Sequence, residues 1–197
     1  MHTLDRQQLK ELARARRRVP FRKIAEMPDE ILLGFRDFHR VNRNNNILSD
    51  AIRQRSARNL ETEAAAYLSE NYAQIELQTV PGDADPNIRT NYIEPCDSKL
   101  VGQLETLVGA CYRTRISTLK PGGRISRHID DPRQLRVICI LEGQHEFALY
   151  ENNKTHWLLM EPGELWFVNT AWEHEVNNPG NTDRVALLAN LFELPEK

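Results

Sequence analysis

Long apolar runs are missing from this sequence. No stretch approaches the roughly 20 consecutive apolar residues that a membrane-spanning helix needs, so no helical span is expected. Cysteine is scarce as well: Cys96, Cys111 and Cys139 are an odd number at no metal-ligand spacing. That argues against a disulfide framework and a thiolate metal cluster, and it suits small buried thiols in a reducing compartment. Charge of one sign is lacking overall, since 26 lysines and arginines stand against 28 aspartates and glutamates, for a formal charge of −2. A general nucleic-acid binder is therefore not expected. The opening residues, Met1 to Arg6, lack the apolar stretch and small-residue cleavage site of a secretory signal, so the expected location is cytoplasmic. Internal repeats and low-complexity segments are absent too.

What is present suits one soluble globular domain: 197 residues, 40% apolar and 27% charged. The basic residues crowd toward the beginning. Lys10, Arg14, Arg16, Arg17, Arg18, Arg22 and Lys23 are followed by Arg36, Arg40, Arg43, Arg53, Arg55 and Arg58, a run that reads as solvated helix faces or as a docking surface for an acidic partner. Apolar residues up to position 110 recur at helical spacing. Leu4, Leu9, Leu12 and Ala13 suggest a first helix ending near Val19-Pro20, and Ile31, Leu32, Phe35 and Phe38 a second that begins near Pro28-Asp29-Glu30. A third is expected from Ser49 or Asp50 to about Tyr72, and Pro81 to Pro86 is a loop by composition. The fourth runs from Lys99 to about Gly109, capped by Asp97-Ser98.

From Cys111 the period changes to two. Strands are expected at Tyr112 to Leu119, Arg124 to Asp130, Leu135 to Leu141, Glu146 to Tyr150, His156 to Met160, Leu165 to Val168, His174 to Val176 and Val185 to Phe192, with turn residues between them. Eight short strands in succession indicate a double-sheet jelly roll. The expected architecture is thus mostly β with a helical cap (α+β): residues 1–110 form a helical region packed on a cupin-like, double-stranded β-helix core of residues 111–197.

Polar residues interrupt the apolar strands at a few places. His128 and Asp130, two apart on an expected strand, point to one face, so an imidazole and a carboxylate can converge on one ion. His174, at the start of a later strand, is the candidate third ligand. Two histidines and one carboxylate leave three positions of an octahedral Fe(II) open, as a chelating co-substrate and O2 require. Arg184 opens the apolar strand Val185 to Leu191, and a guanidinium inside a barrel is costly unless it meets an anion. The far carboxylate of 2-oxoglutarate is a suitable bidentate partner. Arg136 heads the apolar strand Val137 to Leu141 in the same way, and its alternative role is an ion pair with a buried carboxylate such as Glu164.

These residues lie in an order that resembles the aspartyl/asparaginyl β-hydroxylase-like oxygenases, a family that includes bacterial cis-4 proline hydroxylases. The resemblance runs from about Tyr112 to Leu194. It rests on Arg115-Ile116-Ser117 before Pro121-Gly122 and His128, on Leu135-Arg136, on Pro162-Gly163-Glu164-Leu165-Trp166-Phe167, and on Glu173-His174-Glu175-Val176 followed by Arg184. It implies His128 and His174 as iron ligands, Arg184 and Ser117 on the C5 carboxylate of 2-oxoglutarate, and Arg136 at the other end of the co-substrate. Some members carry glycine where Asp130 stands; the aspartate groups this chain with the complete-triad members and argues against halogenation. The implied reaction is hydroxylation of an unactivated C–H in an amino acid, free or within a peptide or precursor, with release of succinate and CO2.

Arg115 shares the face of Ser117 and is the candidate for an acidic group on the substrate, while Trp172, two residues before His174, is a candidate pocket wall. His145 and His156 have no partner at ligand spacing and read as surface or satisfied core histidines. Two other classes compete: a cupin-like metal enzyme working without an oxo-acid, and a non-catalytic jelly roll whose basic helices recruit a partner. Neither accounts for the strand-opening arginines as well. Nothing in the sequence specifies an oligomeric state.

Overall fold

The computed structural model describes residues 20–44, 71–78, 98–130, 134–151 and 153–192. The first expected helix, nearly all of the third, the loop 81–86 and Cys96 lie outside them. The elements, in chain order, are β1 (Phe21–Glu26), α1 (Asp29–Asn42), β2 (Tyr72–Glu76), α2 (Ser98–Val108), β3 (Cys111–Leu119), β4 (Arg124–His128), β5 (Leu135–Glu142), β6 (Glu146–Glu151), β7 (Lys154–Leu158), β8 (Glu164–Val168), β9 (Glu173–Asn177) and β10 (Arg184–Leu191). They form a six-stranded sheet in the order β1-β8-β5-β10-β3-β2 and a four-stranded sheet in the order β4-β9-β6-β7, with every strand pair antiparallel. This is the expected jelly roll. No helix among the described residues is long and apolar enough to cross a membrane.

The expectation of helices alone before residue 110 is corrected by β1 and β2. The first pairs with β8 and the second, where the third helix was to end, pairs with β3, so both extend the large sheet at its edges. Edge strands are commonly short and charged, which protects them from pairing with other chains, and Phe21-Arg22-Lys23-Ile24-Ala25-Glu26 accordingly lacks a strict apolar alternation.

Pro28, with φ of −54°, caps the start of helix α1, with Asp29 and Glu30 against the positive end of the helix dipole and His39 and Arg40 in the last turn. The helix buries Ile31, Leu32 and Phe35, and together with Leu100, Val101 and Leu104 of α2 these cover the outer face of the large sheet. A second apolar cluster, including Ile138, Ile140, Phe147, Leu149, Val168, Val176 and Ala186, fills the space between the two sheets. Strands β5 and β10 are therefore apolar on both faces. In β10, Val185, Leu187, Ala189 and Leu191 turn toward the helices, and alternation turns Arg184, Ala186, Leu188 and Asn190 into the space between the sheets. A polar residue at one of those inward positions meets the site.

Candidate active site

His128 ends β4 and is the direct cross-strand partner of His174 on β9, which brings the two rings to a centroid separation of 4.2 Å. Asp130 lies just beyond the strand rather than on it, because its backbone N–H leaves the ladder and donates to the carbonyl of Thr170 at 3.0 Å. One ligand atom from each of His128, Asp130 and His174 then falls within 4.8 Å of the others. In each histidine Nδ1 meets a carbonyl oxygen two residues back, Ser126 O at 2.7 Å and Trp172 O at 2.9 Å. A carbonyl only accepts, so Nδ1 carries the proton and Nε2 keeps a lone pair for an ion. Burial, then the neighbouring His128, lowers His174 to a pKa of about 4, so it stays neutral. Burial alone would raise the Asp130 carboxyl; Arg136 foremost, with His174, His128 and Arg115, overrides it and holds the pKa at about 2. The donor set and its protonation fit a divalent metal, and a two-histidine, one-carboxylate set suits Fe(II).

Arg136 donates from Nη2 to Asp130 Oδ2 and Gln134 Oε1, each at 2.7 Å. The pairing with Glu164 offered by the sequence is not made. That carboxylate instead accepts from Lys23 Nζ at 2.6 Å and Trp166 Nε1 at 2.9 Å. Arg136 Nη1 is buried without a partner among the described residues.

Arg184 is 1% exposed and no acidic side chain of the described residues pairs with it. Its Nη1 donates to Ser117 Oγ at 3.3 Å and its Nε to His145 Nδ1 at 2.9 Å. Burial lowers its pKa only to about 10, leaving it cationic. Arg115 is also buried; it donates from Nη1 to the carbonyl of Arg113 at 2.9 Å, while Nε has no partner among the described residues. Burial first, and Arg136 and Arg113 after it, pull its pKa well below the usual arginine range. Trp172, half-buried, touches the metal end through its carbonyl and faces His156 at 5.8 Å.

The structure thus brings together His128, Asp130, His174 and Arg136 at one end, and Arg184 and Ser117 at another. Three residues were not anticipated. Phe147 stacks on His174 at an interplanar angle of 7° and a centroid distance of 5.4 Å. Asn190 lies across from Arg136 on the same inward face, fully buried, with neither side-chain atom partnered among the described residues. An amide in an apolar strand was the same kind of signal as Arg184. His145 is neither a surface residue nor a satisfied one: it is buried, its Nδ1 serves Arg184, and its Nε2 has no partner among the described residues. His156, by contrast, pairs with Glu151 at 3.2 Å near the surface, as expected of it.

A jelly roll with a His-Asp-His cluster between its sheets belongs to the metal-dependent oxygenase class. The family model for the aspartyl/asparaginyl beta-hydroxylases matches residues 94–193, half of the chain, and this protein belongs to that family. The match begins ahead of Tyr112 and takes in α2. Among solved structures, an oxidoreductase of the 2OG-Fe(II) oxygenase family from Burkholderia pseudomallei superposes with a TM-score of 0.54 at 13% identity, over 96% of this chain and 92% of that one. A prolyl-4-hydroxylase from Pseudomonas putida does so with a TM-score of 0.51 at 14% identity, over 92% of this chain and 97% of that one. At such identities the likeness is one of fold. No curated protein matches.

Proposed function

We propose that this oxygenase uses Fe(II), O2 and 2-oxoglutarate to hydroxylate an unactivated C–H of an amino acid, free or as a residue in a peptide or precursor. The observation that carries the reading is Arg184: a buried guanidinium with no acidic partner among the described residues, on the inner wall of the barrel that holds the triad. Such a charge is costly until an anion arrives. A five-carbon diacid has a carboxylate for Arg184 and Ser117 and an oxo-acid end for the metal.

His128, Asp130 and His174 would hold the iron. When bound together, Fe(II), 2-oxoglutarate and O2 supply the oxidising power, one oxygen atom entering the substrate as a hydroxyl and the other leaving in succinate alongside CO2. The chain's own residues do the positioning. Arg136 keeps Asp130 ionised and aimed, and its unpartnered Nη1 would be available to the oxo-acid end. Phe147, stacked on His174, holds that ring in place and keeps water from the space between the sheets. Arg115 and Asn190, both buried with unanswered polar atoms, are suited to an acidic group and an amide or amine on the substrate. Trp172 walls the same region.

The test is succinate formation by the protein with Fe(II), ascorbate, 2-oxoglutarate and pooled amino acids and peptides, for wild type, His174→Ala and Arg184→Ala. Turnover in wild type and in neither variant is the expected result. Absence of succinate from wild type, together with no iron-dependent binding of 2-oxoglutarate by calorimetry, would overturn the reading in favour of a binding module.

A further inference from the structure

We propose that His145 is the positioning residue of the co-substrate anchor, fixing the Arg184 guanidinium through Nδ1 so that only its Nη1–Nη2 edge is offered to a carboxylate. This rests on the reading of Arg184 as the 2-oxoglutarate anchor and adds a residue that the resemblance did not single out.

The placement begins with backbone. Gly143, in the turn between β5 and β6, has φ of +82°, and a Cβ there would lie 2.2 Å from the carbonyl oxygen of Asp183. Only glycine allows the turn to press against the start of β10. Two residues on, His145 reaches Arg184. An arginine Nε–H can only donate, so Nδ1 of His145 is an acceptor and the ring is neutral, with its proton on Nε2. Burial and the adjacent guanidinium both oppose a second proton on this ring.

A guanidinium meets a carboxylate either side-on through Nε and an Nη or end-on through both Nη nitrogens. With Nε committed at 2.9 Å to His145 and Nη1 touching Ser117 at 3.3 Å, the plane is set and the side-on approach is blocked. The chemistry of the clamp matters as much as its place. A carboxylate there would orient Arg184 equally well but would neutralise it, and the attraction for the diacid would be lost. A neutral imidazole orients without neutralising. The ring of His145 also lies 5.8 Å from Phe147, which stacks on His174, so a continuous row of rings connects the anchor to the metal end.

The experiment is calorimetric titration of 2-oxoglutarate into the full chain loaded with Mn(II), a redox-inert stand-in, with parallel steady-state measurement of KM and kcat in the Fe(II) form. Four variants are compared: His145→Leu, His145→Asn, His145→Asp and Arg184→Ala. Asparagine presents an acceptor close to the position of Nδ1, and aspartate is its charged isostere. Loss of the partner that orients a metal ligand costs about 10- to 100-fold, and a loss of the same order is expected for the partner that orients a buried arginine. The expected result is a weakening of that order in His145→Leu, seen in Kd and KM for 2-oxoglutarate with kcat at saturation nearly unchanged. His145→Asn recovers most of the affinity and His145→Asp recovers none. If His145→Leu fails to fold, the Asn and Asp pair still decides. Wild-type affinity in His145→Leu or in His145→Asp, with affinity lost in Arg184→Ala, would overturn the positioning role alone. No binding by wild type would overturn the co-substrate reading, and this inference with it.

Discussion

The two ends of the space between the sheets solve opposite electrostatic problems. At the metal end the charges answer one another: Asp130 lies between Arg136 and two imidazoles, each imidazole has its own carbonyl, and the side chain of His128 is 39% exposed. At the anchor end Arg184 is sealed from water among neutral partners. At the metal end the carboxylate is paired before anything binds, although Arg136 Nη1 and the Asn190 amide stay unpartnered among the described residues, whereas the anchor end keeps a charge with no acidic partner there at all. In the proposed reading, binding energy for the co-substrate is stored at the unpaired charge, and metal-ligand geometry at the paired one.

Breaking either end separates their contributions. The largest effect is expected from His174→Ala or from chelation of the metal, either of which takes succinate formation to background while the protein stays folded by circular dichroism. Next comes a contrast in stability. Replacing Arg184 by methionine removes an unanswered buried charge and is expected to raise unfolding free energy, by about 1–4 kcal/mol in denaturant titration. Asp130→Ala strands Arg136 and lowers it by about 1–3 kcal/mol. The same sign in both variants would sink the comparison. A comparable effect is ligand linkage: 2-oxoglutarate at a hundredfold excess over Kd stabilises wild type by about 2.7 kcal/mol in thermal unfolding and leaves Arg184→Met unmoved. The smallest lies away from both ends, where Lys23 ties β1 to β8 through Glu164. The hydrogen bond from Lys23, aided by Trp166, holds the Glu164 carboxyl at about 2, below its usual 4.5. Its contribution is complete above pH 4.5 and disappears as the pH falls toward 2. Wild type and Glu164→Gln should therefore differ in stability at pH 7 and converge at pH 2.

The core strands were legible because their residues alternate and glycine- or proline-bearing turns separate them; β5 runs Leu135–Glu142 and β10 Arg184–Leu191, within a residue of the spans expected. Strand β7 slid to Lys154–Leu158, since Thr155 and His156 carry no strong period. Strands β1 and β2 were hidden because an edge strand has one neighbour to pack against and keeps its charges. The chemistry was legible for a related reason. Arg136 and Arg184 are charged residues at inward positions of apolar strands, where propensity and burial disagree, and His128, Asp130 and His174 stood out by ligand type and spacing. The partners those residues choose were not legible. Arg136 takes Asp130 rather than Glu164, and Arg184 takes His145, because such choices depend on turns that bring distant backbone together, as at Gly143.

Strand β10 follows every other strand of the described residues yet lies between β5 and β3 near the middle of the large sheet. During synthesis, β3, already beside β2, and β5, already beside β8, must each wait with one unpaired edge until β10 leaves the ribosome. The residue proposed as the co-substrate anchor arrives on the strand that closes the sheet. A ribosome-bound chain stalled before Arg184 should accordingly recruit chaperones and bind no 2-oxoglutarate, and release of the last strand should end both conditions together.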